Sequence, residues 1–318
     1  MGDTGPNSCP LFVSSGDLVS DRRYKAAVEL AGRGDFAAAA DVLAQTVEAA
    51  PSFATAWFAL GPSATGSVIA TALSRLSVQR VAPTPTIITA RGCSWRGLAP
   101  AMSEPYLRRL FDQYAGRYDA ALAEHLDYRG PALLRDAVQS ALHHMGRPLS
   151  FSLLLDLGCG TGLAGAVFRP FAVRLVGVDL SAAMIARAES KGDYDRLVVG
   201  SLAAFLAEEI AISARYDLVV AADVFVYVSD LAPVLATIAR VMAPNGIVAF
   251  TVETHSGDGV ALLPTLRFAQ GEPYLRNVIA AAGLNLFTLE SAAIRTEKGT
   301  PVNGLVLVAG ANRIASTQ

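Results

Sequence analysis

The stretch F-S-L-L-L-D-L-G-C-G-T-G, Phe151 to Gly162, decides the fold. Its first half is a short, nearly continuous apolar run, the pattern of a strand covered on both faces. Gly158, Gly160 and Gly162 then let the backbone turn tightly and lie bare against a ligand, and the segment beyond suits a helix. Strand, glycine turn and helix in that order give a glycine motif its meaning as a binding loop. The next apolar run, V-R-L-V-G-V-D-L from Val173, closes on Asp179, 17 residues past Gly162. An acid at the carboxyl end of a second strand is placed to accept both hydroxyls of an adenosine ribose. Gly160-x-Gly162-x-x-Gly165 also satisfies the dinucleotide fingerprint, so these features alone leave two ligand classes open.

Downstream the alternation continues. D-Y-D-R-L-V-V-G-S-L predicts a third strand ending near Gly200, Y-D-L-V-V-A-A-D-V-F-V-Y-V a fourth from Tyr216, and N-G-I-V-A-F-T-V-E a fifth ending at Glu253. Helices are expected from Ser181 to Glu189, Leu202 to Glu209 and Asp230 to Met242, and a last one ends at Gly283. Two further strands, Leu284 to Ile294 and Val302 to Ala309, flank E-K-G-T-P. The predicted class is α/β: a Rossmann-like, mostly parallel seven-stranded sheet with helices on both faces and a terminal antiparallel hairpin, preceded by a small α-helical region. Two helices come before the first strand. One carries a stripe of Tyr106, Leu110, Tyr114, Tyr118 and Leu122 behind a Ser103 cap; the other runs from Pro131 to about Met145.

The run D-L-G-C-G-T-G, with Asp156 two residues before the first glycine, resembles the first motif of class I S-adenosylmethionine-dependent methyltransferases. The zone 101–312 looks like a bacterial methyltransferase with N-terminal tetratricopeptide repeats; L-F-D-Q-Y-A-G-R-Y-D, A-A-D-V-F-V-Y-V and L-E-S-A-A-I-R-T-E-K-G-T-P-V-N-G carry that likeness. It is similar, more loosely, to the methyltransferases of biotin and quinone synthesis. The resemblance implies S-adenosyl-L-methionine as cofactor. Asp156 then favours its ammonium group, Gly158, Cys159, Gly160 and Gly162 admit its methionine part, and Asp179 with Leu180 takes the ribose. Where the family commonly has an Asp facing the adenine amine this chain has Ser201, followed by Leu202, and a hydroxyl accepts the same bond without charge.

Methyl transfer from a sulfonium is an in-line displacement, so alignment and exclusion of water are the protein's main contributions. Asp223, Tyr227, Glu253 and His255 lie at or after the carboxyl ends of strands four and five, where open sheets bind ligands. Asp223 is assigned to the cofactor and the other three are the candidate catalytic residues. Tyr114 and Tyr118 are candidates to close over the sulfonium, whose charge an aromatic face favours. Plainer roles stand beside these: core contacts for the tyrosines, a turn cap for Asp223, a surface loop for His255, a small filler for Cys159. The rival readings are an NAD(P)-binding oxidoreductase and a non-catalytic scaffold that docks a protein partner through its helical N-terminus.

Composition narrows the partners. The 318 residues are 52% hydrophobic and 17% charged, too apolar for a disordered chain, and the net charge of -2 gives no reason to expect a nucleic acid or an anionic membrane. A small-molecule substrate is expected. Three scattered cysteines and four histidines without ligand spacing predict neither disulfide nor metal site. No apolar run reaches the ~18 residues of a membrane helix, and the first residues carry an acid and no basic region, which predicts a cytoplasmic protein. Residues 1–20 are expected to be a flexible N-terminus. Residues 21–61 resemble a tetratricopeptide repeat through Gly34, Ala39, Leu43, Pro51, Trp57, Leu60 and Gly61. Residues 62–100 fall within a stretch without Asp or Glu and carry Arg75, Arg80, Arg91 and Arg96; they read as an irregular basic linker or as the product of a shifted reading frame.

Overall fold

The computed structural model describes residues 18–50, 53, 56, 104–119, 128–263, 265, 267–297 and 299–311. The chain forms two units, Met1–Gln113 and Tyr114–Gln318. In the first, α1 (Leu18–Gly32) and α2 (Phe36–Ala49) form a hairpin, turned by Gly34 at φ +83°. Asp35 caps α2 by accepting the Ala38 N–H. The Ala-rich faces let the helices approach closely around Ala27, Ala40, Leu43, Val47 and Phe53, with the Tyr24 ring 5.3 Å from that of Phe53. The predicted repeat opening at Trp57, Leu60 and Gly61, and the stretch 62–100, lie outside the described residues. The expected aromatic stripe runs as α3 (Glu104–Tyr114), tightens into a 3-10 turn, Ala115–Arg117, and is helical again at Tyr118 and Asp119. Leu122 lies outside the described residues.

In the second unit β1 (Phe151–Leu157), β2 (Ala172–Asp179), β3 (Arg196–Val199), β4 (Tyr216–Ala221) and β5 (Met242–His255) run parallel in the order β3-β2-β1-β4-β5. Around them lie β6 (Val260–Leu262), β7 (Phe268–Gly271), β8 (Leu284–Glu297), β9 (Thr300–Ala311), α4 (Gly130–His144), α5 (Leu163–Phe168) and α6 (Ala182–Lys191). Helices α7 (Leu202–Ala211), α8 (Ala232–Val241) and α9 (Glu272–Ala281) cover one face. Alternation sorts the strand side chains: Leu154, Leu218 and Val220 face α4 and α5, whereas Leu155, Val219 and Ala221 face α7, α8 and α9. Both sets are buried, and each full side chain contributes about 1.5–3 kcal/mol.

The predicted terminal hairpin is β8 and β9, with β9 antiparallel to β5. Two strands exceed the seven expected. β6 and β7 lie between β5 and α9, and β7 runs parallel to the end of β5. Glu253 pairs with Ala269 of β7 and with Gly304 of β9, so the two strands flank β5 on opposite edges there. The sequence G-V-A-L-L-P-T-L-R-F-A-Q-G hides this pair because a three-residue strand has no room to show a period.

Candidate functional site

The glycine loop after β1 is shaped by backbone and by neighbours. Gly160 has φ +53°, a left-handed conformation, and a Cβ there would meet nothing within 4 Å, so its side toward the cavity is open. Gly165 is required for a different reason: a Cβ would sit 2.4 Å from the ring of Tyr194. The Gly160 N–H donates to Asp179 Oδ2 at 2.9 Å and the Ser181 N–H to Oδ1 at 2.8 Å. Asp179 thus locks the loop to the end of β2.

Asp156 is buried, 1% exposed. Its Oδ2 accepts from the Tyr194 hydroxyl at 2.6 Å, and its Oδ1 has no hydrogen-bond partner. Burial pushes its carboxyl up to about 7; the Tyr194 bond works against that shift and the Asp179 charge adds to it. Asp156 lines a cavity of about 30 Å³, room for roughly one water, together with Tyr118, Tyr128, Gly158, Cys159, Gly160 and Thr161. Asp119 holds the segment above it: it accepts from the Thr161 hydroxyl and pairs with Lys191 at 2.7 Å. Tyr118 and Tyr128 both have hydroxyls held well above the usual range, first by burial, then by Tyr227 and Asp223 for Tyr118 and by Asp223 for Tyr128, so both stay neutral. Tyr114 is absent from the cavity lining; its ring meets that of Tyr118 edge-on at 5.5 Å and braces it. Cys159 lines the cavity, and burial raises its thiol out of the reactive range.

Leu180, Ser201 and Leu202 follow the ends of β2 and β3, which are paired at Asp179 and Val199. Ser201 was expected to face an adenine amine. Its hydroxyl caps α7 by accepting the Ala204 N–H at 3.3 Å, so one of its two lone pairs already serves the helix. Leu202 packs against the core beneath.

Beyond β4 the chain enters a cluster that sequence reasoning missed. Arg295, from β8, donates through Nη1 to both oxygens of Asp223 at 2.9 and 3.0 Å, through Nη2 to Glu253, and through Nε to Glu297 at 2.8 Å. Arg267 reaches Glu297 at 2.6 Å and Glu253 at 3.3 Å, and also bonds Tyr227. Asp223 is thereby held at φ +60°, with its N–H on the Thr251 hydroxyl at 2.8 Å. Three carboxylates meet two guanidiniums, all largely buried. Neither Glu253 nor Tyr227 stands alone here: two arginines bond Oε1 of the first, and burial keeps the second neutral. His255 is turned away. Its Nδ1 accepts the Gly257 N–H at 3.0 Å and its Nε2 lies 2.9 Å from the Gly259 carbonyl, which fixes the Nε2–H tautomer and occupies both nitrogens.

The structure therefore brings together Asp156, the glycine loop, Asp179, Asp223, Tyr118 and Tyr227, and leaves His255 with its own loop. Among the described residues no group of His, Cys, Asp or Glu is arranged to hold a metal ion, and no helix is long and apolar enough to cross a membrane. Residues 155–248 match the family model of a methyltransferase domain. A ubiquinone biosynthesis O-methyltransferase of Rhodopseudomonas palustris is 33% identical over 114 residues, 36% of this chain and 45% of that protein. Human methyltransferase-like protein 27 is 42% identical over 93 residues, 29% of this chain and 36% of that protein. The chain spans less than half the length of these curated relatives. A solved magnesium protoporphyrin IX methyltransferase from Synechocystis, with bound SAH, has a TM-score of 0.50 at 16% identity, covering 66% of this chain and 99% of that one. At that identity the likeness is one of fold. Sequence over residues 155–248 and sheet architecture together make this chain similar to methyltransferases, and the likeness falls on the loop and strand ends just described.

Proposed function

We propose that the chain transfers a methyl group from S-adenosylmethionine to a small-molecule acceptor. The observation that carries this is the orphaned, buried Asp156 Oδ1 at the cavity wall, one strand away from Asp179. An unpartnered buried carboxylate oxygen costs free energy unless a donor meets it, and an ammonium group supplies one. The open face of Gly160 gives the methionine part a bare backbone to lie on, and Asp179, an acid at the carboxyl end of β2, is placed for ribose hydroxyls. The residues present fit the cofactor, which when bound supplies a sulfonium-activated methyl group.

Tyr118 and Tyr128, which line the cavity, are the groups that would shield the reacting atoms from water. Asp223, fixed by Arg295, remains assigned to the cofactor, and Tyr227, bonded to Arg267, gives the acceptor side a polar wall. Because Glu253 and His255 are both engaged, we assign the rate enhancement to alignment and not to a dedicated base. Cytoplasmic location belongs to the same reading. For residues 21–61 we propose the tetratricopeptide unit, supported by the α1/α2 hairpin, with a protein partner as its occupant and 62–100 as the linker to the methyltransferase domain at 101–312.

Calorimetry with S-adenosylmethionine and with its demethylated product tests the function. Asp179→Ala should weaken both by tenfold or more, since a charge-assisted pair of hydrogen bonds contributes about 1.5–3 kcal/mol. Asp179→Asn, which keeps one acceptor for the Gly160 N–H, should fall between. Tight NADH binding by the parent chain with none for the methyl donor would overturn the reading.

A further inference from the structure

We infer that Tyr194 is a positioning residue for donor binding: its hydroxyl holds one oxygen of Asp156 so that the other is presented to the donor's ammonium group. This rests on the methyl-donor reading above. Tyr194 lies between α6 and β3, outside the glycine motif and after the acid at the end of β2. Its ring is socketed by glycines from three places. A Cβ would stand 2.4 Å from it at Gly165 in α5, 2.8 Å at Gly177 in β2, and 3.1 Å at Gly162 at the end of the loop. Two features of the motif that look like ligand clearance, Gly165 and Gly162, therefore also make room for this ring. The hydroxyl at its tip is 2.6 Å from Asp156 Oδ2.

The groups that act on Asp156 explain why that hydroxyl matters. Asp179 from β2 is negative, and Cys159 from the glycine loop, Tyr128 from the segment before α4 and Tyr194 itself are neutral. No cation stands among them. Tyr194 is the group whose hydrogen bond favours the ionised carboxylate, and it leaves Oδ1 unpartnered at the cavity wall. Without the hydroxyl the carboxylate is free to rotate about its last torsion, and it ionises at a higher pH.

The test is Tyr194→Phe, which keeps the ring in its socket and removes only the hydroxyl. Affinity for S-adenosylmethionine and for its product is measured by calorimetry from pH 6 to 9, with isotope-edited infrared titration of the Asp156 carboxyl in the ligand-free protein. We expect about tenfold weaker binding at pH 7, an Asp156 titration displaced upward, and recovery toward the parent affinity at pH 9. A purely structural tyrosine would lower stability without displacing either pH profile. Should the Phe chain fold poorly, 3-fluorotyrosine at 194, a stronger donor, should displace the titration downward. Parent-like affinity and titration in both variants would overturn the assignment to Tyr194 alone. A parent chain that binds neither ligand at any pH would overturn the donor reading, and this inference with it.

Discussion

Arg295→Met is expected to lower the unfolding free energy by about 3–5 kcal/mol, because it strands Asp223, Glu253 and Glu297 around a single remaining guanidinium. Arg295 is 2% exposed, so water cannot take over the lost bonds. Arg295→Lys should recover only part of the loss, since an ammonium cannot fork among three acids as the guanidinium does. Urea denaturation of the three proteins decides it, and a loss below about 1 kcal/mol for the methionine variant would contradict the arrangement. The cluster also carries acid sensitivity. Burial opposes ionisation of Glu297, but Arg267 and Arg295 outweigh it and hold the carboxyl below its usual value. A depressed carboxylate stabilises the fold above its unfolded pKa and loses that contribution as pH falls through the folded one, so this part of the stability fades below the ordinary glutamate range.

Asp156→Asn should move stability and binding in opposite directions. In the folded protein this carboxyl titrates near 7, well above an unfolded Asp. Such a raised group is no burden below pH 4. Keeping it protonated, or ionising it in place, becomes a growing penalty as pH rises toward 7, about 1.4 kcal/mol for each pH unit between the unfolded and folded values. The amide removes that penalty and still accepts from Tyr194. The ligand-free variant should therefore be more stable than the parent at pH 8, by about 2–4 kcal/mol, and no more stable than the parent at pH 4. Donor affinity should fall about ten- to hundredfold with the loss of the charge-assisted bond. The parent should release protons on binding donor near pH 7, read as a buffer-dependent calorimetric enthalpy. An asparagine variant that binds donor as the parent does, or gains nothing at pH 8, would sink this account.

The parts of the site legible in the sequence are those whose chemistry is local. The glycine loop, Asp156 and Asp179 announce themselves because turn, acid and strand end fall within 29 residues. The two-faced apolar runs of β1, β2 and β4 likewise give the parallel sheet. What was hidden depends on distant pairing. Arg295 lies 72 residues from Asp223 and 42 from Glu253, and in the sequence it is one arginine in an ordinary strand. The surroundings of Glu253 and His255, both candidate catalytic residues, were not legible because their partners, Arg267 and the Gly257 to Gly259 turn, sit in a segment whose strands are too short to recognise. Tyr194 was hidden inside D-Y-D, a turn-like triplet, since its importance comes from space left by three glycines elsewhere.

The two-sided pairing of β5 has a consequence for how the molecule breathes. Ile247 to Phe250 are bonded to β4 on one edge and β9 on the other, and all four are at most 1% exposed. Their amide protons can reach water only when the whole unit opens, so their exchange rates serve as a clock for global unfolding. At the far edge β3, four residues long and half exposed, is bonded only to β2 among the described strands. Its amides should exchange through local fraying, orders of magnitude sooner. Since Val199 of β3 is the partner of Asp179, a ligand gripping Asp179 should slow exchange at that frayed edge, and should slow the β5 clock by the factor it adds to global stability.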